Sequence, residues 1–147
     1  MTDAAAARPE DLLATYRERR ALSVVQPTGS LALVNTQWVD SEQEIYGVAG
    51  RWAPNEGGGL RVSAVASDNI VVDGVLVDGE AVVRGKDDPN PSTVAFSETV
   101  TGFVIASAEG SYALRVWDAN SEDIQNFGGI DAFDYNPDWV ITATFTE

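Results

Sequence analysis

Carboxylates, one arginine and several aromatic rings crowd the stretch from Ser111 to Trp139, SYALRVWDANSEDIQNFGGIDAFDYNPDW. Asp118, Asn120 and Glu122 alternate there as the ligands of a calcium loop do. The sixth position of such a loop demands glycine and holds Asp123, and the glutamate of the twelfth is replaced by Gly129. Asp and Asn also build ordinary turns, so no metal is expected. Asp131, Asp134 and Asp138 stand beside Phe133, Tyr135 and Trp139. Carboxylate pairs flanked by aromatics are the equipment of glycoside hydrolysis, and Asp118 with Asp134 is the candidate pair. Arg115 is the last positive charge of the chain, two residues from Trp117. An arginine turned inward needs an anion, because an unpaired buried charge is very costly. Asp118, Asp131 and Asp134 are the candidate partners, the guanidinium lying over Trp117. The functional alternative is the carboxylate or phosphate of a small ligand. The candidate ligand-binding residues are therefore Arg115, Trp117, Tyr135 and Trp139.

Composition removes many chemistries. The chain has no cysteine and no histidine. Disulfides, thiolate zinc sites, cysteine nucleophiles, Ser-His-Asp triads and imidazole ligands are all excluded. Catalysis would fall to carboxylates, tyrosines, hydroxyls, Arg51, Arg115 or Lys86. The balance leans away from an enzyme, and no cofactor is implied. The net charge of −14 speaks against nucleic acid and anionic membranes as partners, since both are held by clustered cations. Its plain consequence is solubility through self-repulsion.

A length of 147 residues suits one domain with a real core. Hydrophobic residues at 44% and charged residues at 22% describe a folded, soluble chain. No apolar run approaches the roughly 18–20 residues that span a bilayer. The start, MTDAAAARPED, lacks the basic flank of a secretory signal, so a cytoplasmic protein is expected.

The elements that must position these residues are mostly strands. Residues 1–7 read as a tail, followed by a helix opened by Pro9, Glu10 and Asp11 and closed by Arg17, Arg19 and Arg20. Acids first and bases last suit the helix dipole, and Leu12, Leu13 and Tyr16 share a face. The arginine cluster reads as a solvated helix end, with an anion site as the alternative. Gln26-Pro27-Thr28-Gly29 ends the helix. Short β-branched runs follow, separated by Glu56-Gly57-Gly58-Gly59, Asp73-Gly74 and Asp78-Gly79, the last two being tight-turn signals. The triple glycine fits no phosphate-cradle pattern and reads as a turn. Tyr112, Leu114 and Val116 alternate with Ala113, Arg115 and Trp117. A final strand is predicted with Trp139, Ile141, Ala143 and Phe145 on one face. The expectation is an all-β sandwich or partly open barrel of about nine or ten short strands with one N-terminal α-helix. The tail and helix take residues 1–28, and residues 29–147 form one β-domain.

Two resemblances bear on function. Tyr112-Ala-Leu-Arg115-Val-Trp117-Asp118, Phe127-Gly-Gly-Ile130 and Phe133-Asp-Tyr-Asn-Pro137-Asp-Trp139 through Phe145 resemble a bacterial family catalogued as domain of unknown function 1684. Tyr16-Arg17-Glu18-Arg19, Gly29-Ser-Leu31-Ala-Leu33, Trp38-Val39 and Ile45-Tyr-Gly47 are similar to the opening of that family. The likeness runs from about residue 12 onward and implies no known activity. Family members usually continue for roughly another hundred residues, so the resemblance implies a short form or a truncation. It also implies an exposed strand edge, with self-association or a second chain supplying the missing half. Separately, Gly50-Arg51 and Asp73-Gly-Val-Leu-Val-Asp-Gly79 resemble forkhead-associated phosphopeptide-binding domains. There the Ser-x-x-His element is missing and Asp replaces Asn at both turns. The sequence thus points first to a non-catalytic module that binds a small anionic ligand or serves structurally. A partial carboxylate-based hydrolase and a phosphopeptide binder are the alternatives.

Overall fold

A computed structural model describes residues 7–147, so all but the last residue of the expected tail lies outside the described residues. Pro9 opens helix α1 (Pro9–Val24), with Glu10 and Asp11 in the first turn as the helix dipole favours. The helix runs on past its arginines, leaving its last turn without a basic residue. Leu12 and Tyr16 stay exposed, and the more sheltered positions are Leu13, Arg17 and Ala21. Those three are spaced by four, the repeat of one helical face.

Two compact units divide the chain. Residues 24–127 form one, and the described residues up to 23 together with 128–147 form the other.

Every strand among the described residues belongs to residues 24–127. They are β1 (Leu33–Trp38), β2 (Gln43–Glu44), β3 (Arg51–Pro54), β4 (Leu60–Ala64), β5 (Val71–Val72), β6 (Val75–Leu76), β7 (Gly79–Val83), β8 (Val94–Ala95), β9 (Val100–Ala106) and β10 (Tyr112–Asp118). They build two antiparallel sheets and no closed barrel. One sheet runs β1-β10-β9-β8-β5-β6 and the other β2-β3-β4-β7. The all-β expectation with a leading helix holds.

The two Asp-Gly turns do different work. Asp73 and Gly74 both take positive φ, 51° and 81°, and close the two-residue β5–β6 hairpin. That is the geometry for which Asp-Gly is preferred. Asp78-Gly79 instead carries the chain from β6 in one sheet to β7 in the other. The Gly57–Gly59 run is the expected turn: the Asn55 N–H donates to Gly59 O at 3.1 Å and the Gly58 N–H to Asn55 O at 3.0 Å.

The core holds Trp52, Leu60, Val62, Ile70, Val83, Val104, Leu114 and Val116, all fully buried. Leu60 and Val62 alternate along β4, and Leu114 and Val116 along β10, as one buried face of a sheet requires. Trp52 donates its indole N–H to Ala49 O at 3.2 Å and meets Phe96 edge-on at 6.0 Å between centroids. A buried indole needs such a partner for its N–H.

The last predicted strand is absent. Residues 140–147 carry no strand and all are exposed. Between Asn136 and Trp139 the chain makes a 3-10 turn, with the Asn136 side chain accepting from the Asp138 N–H at 2.9 Å. Alternation alone does not make a strand; the backbone must find a neighbour for its hydrogen bonds, and this segment has none.

Candidate functional site

Strand β10 delivers its side chains as alternation predicts. Tyr112, Leu114 and Val116 pack in the core, while Ala113, Arg115 and Trp117 occupy the other face. Across the sheet Arg115 stands opposite Thr36 of β1 and Phe103 of β9. Trp117 stands opposite Thr101 and Leu33. This face mixes Trp38, Phe103, Ile105 and Trp117 with a single guanidinium.

None of the expected acidic partners reaches Arg115. It takes part in none of the ion pairs among the described residues, and its buried Nε makes no hydrogen bond. Asp118 lies three positions on and so faces the opposite side of the strand. Its Oδ1 accepts the Asn120 N–H at 2.8 Å, which commits it to its own turn. Asp131 and Asp134 belong to the other compact unit. Arg115 is thus held half-buried without an anion, beside two aromatic side chains.

Those two aromatics, Phe103 and Trp117, line a cleft of about 440 Å³. Pro91, Val94 and Gly102 also line it, with Thr28, Ser92, Thr93 and Thr101 as its polar residues. Volume and lining match small-molecule sites, which are mostly apolar with a few placed polar groups.

Tyr135 and Trp139 are found elsewhere. In the unit formed by α1 and the C-terminal segment they line a groove of about 370 Å³ with Tyr16, Arg17, Arg20 and Asp134. Phe133 and Trp139 meet edge-on, 5.8 Å between centroids, and Arg17 donates to Phe133 O. The four predicted ligand residues therefore divide into two pairs. Arg115 and Trp117 share one face of a strand; Tyr135 and Trp139 share a groove whose cations come from the helix. Sequence reasoning had set Arg17 and Arg20 down as a solvated helix end, and only the return of the chain places aromatics beside them.

The hydrolase pair is not assembled within either unit, because Asp118 belongs to one and Asp134 to the other. No group of three acidic side chains stands close enough to hold a metal ion among the described residues. Arg51, on which a phosphopeptide site depends, faces Glu42 at 3.7 Å and Glu44 at 3.9 Å. The open cleft beside it, about 530 Å³, is also lined by Asp68 and Glu80, a field that repels phosphate.

One polar cluster escaped the sequence altogether. Asp73 Oδ1 accepts the Thr93 N–H at 2.9 Å, and Oδ2 accepts Ser92 Oγ at 2.9 Å and Arg84 at 3.1 Å. The Ser92 hydroxyl in turn accepts the Arg84 N–H at 3.0 Å. The backbone bond from Thr93, with help from Ser92 and Arg84, holds the Asp73 carboxyl below the usual carboxylate range. Ser92 and Thr93 also line the Trp117 cleft, so this cluster fixes one of its walls.

No family model matches the chain, and no curated protein or solved structure is significantly similar to it.

Proposed function

We propose that the β-sandwich is a non-catalytic binding module for a small organic anion, seated in the Trp117 cleft with Arg115 as its charge anchor. The observation that carries this reading is the Arg115 guanidinium, its Nε buried and without a carboxylate of its own, on the sheet face that also carries Phe103 and Trp117 of the cleft. Leaving such a charge unpaired is expensive, and an incoming carboxylate or phosphate offsets the expense. Trp117 and Phe103 would take the apolar body of the ligand, a planar ring fitting their faces best. Membership of the domain of unknown function 1684 family belongs to the same proposal, on the order of its motifs alone. So does a cytoplasmic setting.

Calorimetric titration with benzoate, a phenyl phosphate and an uncharged benzamide tests the reading. The two anions should bind and the amide should not. Arg115→Ala should abolish the signal, Arg115→Lys should weaken it, and Trp117→Ala should reduce it for ring-bearing anions. Equal binding of the amide, or binding indifferent to Arg115, would defeat the proposal.

A further inference from the structure

The unit formed by α1 and the C-terminal segment holds a second concentration of aromatic and cationic side chains. Leu13, Tyr16, Arg17 and Arg20 follow the i, i+3, i+4, i+7 spacing of one helical stripe, and all four line its groove of about 370 Å³. The facing wall carries Tyr135 and Trp139. A short 3-10 turn positions Trp139, whose N–H donates to Asn136 O at 3.1 Å. Phe133 meets its ring edge-on, and the Phe133 carbonyl accepts from Arg17, so a bond joins the two walls. Tyr16 and Trp139 each remain more than half exposed, which leaves aromatic surface open in the groove. Every lining residue belongs to this one compact unit.

The cations here are out of keeping with the rest of the chain. Nine basic residues stand against 23 acidic ones, yet two of the nine line this single groove. They lie about one turn apart on α1, and neither forms an ion pair among the described residues. Arg17 gives one amino group to Phe133 O and keeps the other donors of its fork. Two neighbouring guanidiniums suit a dianion, because each offers several N–H donors to phosphate oxygens. A net charge of −14 opposes any anion at long range, so a bare phosphate is a poor ligand. The anion must also bring a ring to cover the open aromatic surface. Asp134, on the same wall as Tyr135, adds an acceptor suited to a hydroxyl.

We infer that the groove between α1 and the C-terminal segment binds a nucleoside monophosphate. The phosphate sits on Arg17 and Arg20, the base lies against Trp139 with Tyr16 and Tyr135 beside it, and a ribose hydroxyl donates to Asp134. Stacking on an aromatic side chain accepts any base, so the arrangement selects the class of ligand and not one base. The volume suits a single nucleotide, being near the lower end for small-molecule sites. The overall charge disfavours a polymer, which would need many clustered cations along its backbone.

Calorimetric titration of the full chain with adenosine monophosphate tests the inference, with adenosine and inorganic phosphate as its two halves. The nucleotide should bind about tenfold or more tightly than either half. Arg20→Ala is the decisive variant, because the bond that joins the two walls belongs to Arg17. It should weaken the nucleotide about tenfold or more, with the circular dichroism unchanged. Trp139→Ala should weaken it about fivefold or more, and Trp139→Phe should recover most of that loss. The same titration on Arg115→Ala separates this groove from the Trp117 cleft. No binding of the nucleotide, phosphate binding as tightly as the nucleotide, or affinity indifferent to both Arg20→Ala and Trp139→Ala would each overturn the inference. So would binding that is lost in Arg115→Ala and kept in Arg20→Ala.

Discussion

Ser92, the buried polar side chain among the described residues, donates its hydroxyl to Oδ2 of Asp73 at 2.9 Å. Nineteen positions separate them, and the bond ties the β5–β6 hairpin to the segment entering β8. Asp73 itself sits at φ 51°, a conformation that Asp and Asn tolerate better than other residues with a side chain.

Asp73 makes stability depend on pH. Its folded pKa is lowered, so the native state binds its proton more weakly than the unfolded chain does. The contribution is complete above the unfolded value near 3.9 and is lost as pH falls through the folded pKa. Asp73→Asn keeps the tolerated backbone and removes the charge. It should lower stability by about 1 kcal/mol at neutral pH, the difference between charged and neutral hydrogen bonds. Urea melts of both proteins, repeated down to acid pH, should converge as Asp73 protonates.

Tyr112 contributes at the other end of the scale. Its hydroxyl donates to Asp87 at 2.6 Å, and that bond raises the phenol above its ordinary pKa near 10. Since the folded value is raised, the stabilisation is present below the unfolded pKa and disappears as pH climbs through the folded one. Tyr112→Phe should cost about 1–2 kcal/mol at neutral pH. Ultraviolet titration should show a tyrosine transition above the ordinary phenol range that is missing in the variant.

Glycine tolerance should differ sharply between two turns. Gly59 has φ +73°, and a Cβ there would lie 2.3 Å from Val83 O. Gly110 has φ +86° and open space around it. Gly110→Ala should cost about 1–2 kcal/mol from backbone strain alone. Gly59→Ala adds a clash with backbone and should destabilise the sandwich further, enough to separate the two melting curves clearly.

Trp52 fills the centre of the core at 0% exposure. Trp52→Ala should cost about 3–5 kcal/mol. Trp52→Phe leaves a smaller cavity but strands the Ala49 carbonyl, and should fall well short of that cost. Chemical denaturation followed by circular dichroism distinguishes them, since the fluorescence probe itself is altered.

Much of the architecture was legible beforehand because it depends on local chemistry. Pro9 with two acids starts a helix wherever it occurs, Asp-Gly closes a two-residue hairpin, and β-branched runs of four to seven residues make strands. The inward face of β10 followed from alternation. The Trp117 cleft was half legible: Arg115 and Trp117 were marked by type and spacing, whereas Phe103, Thr93 and Thr28 carry no signal apart from their place in the sheet. The Asp73–Ser92–Arg84 cluster showed nothing in advance, because residues far apart in the chain meet only when two loops are brought together.

What the sequence determined by itself is chemistry and period: no thiol or imidazole, an acidic surface, strands whose faces alternate, and a lone arginine beside a tryptophan on β10. Only the tertiary structure decided pairing. It divided the ligand candidates between two units, withheld an acid from Arg115, and left residues 140–146 without the strand that alternation had promised. The physical reason is the same in each case. A side chain's type and direction are local properties, but a hydrogen bond, an ion pair or a strand requires a second group, and its position is set by the whole fold.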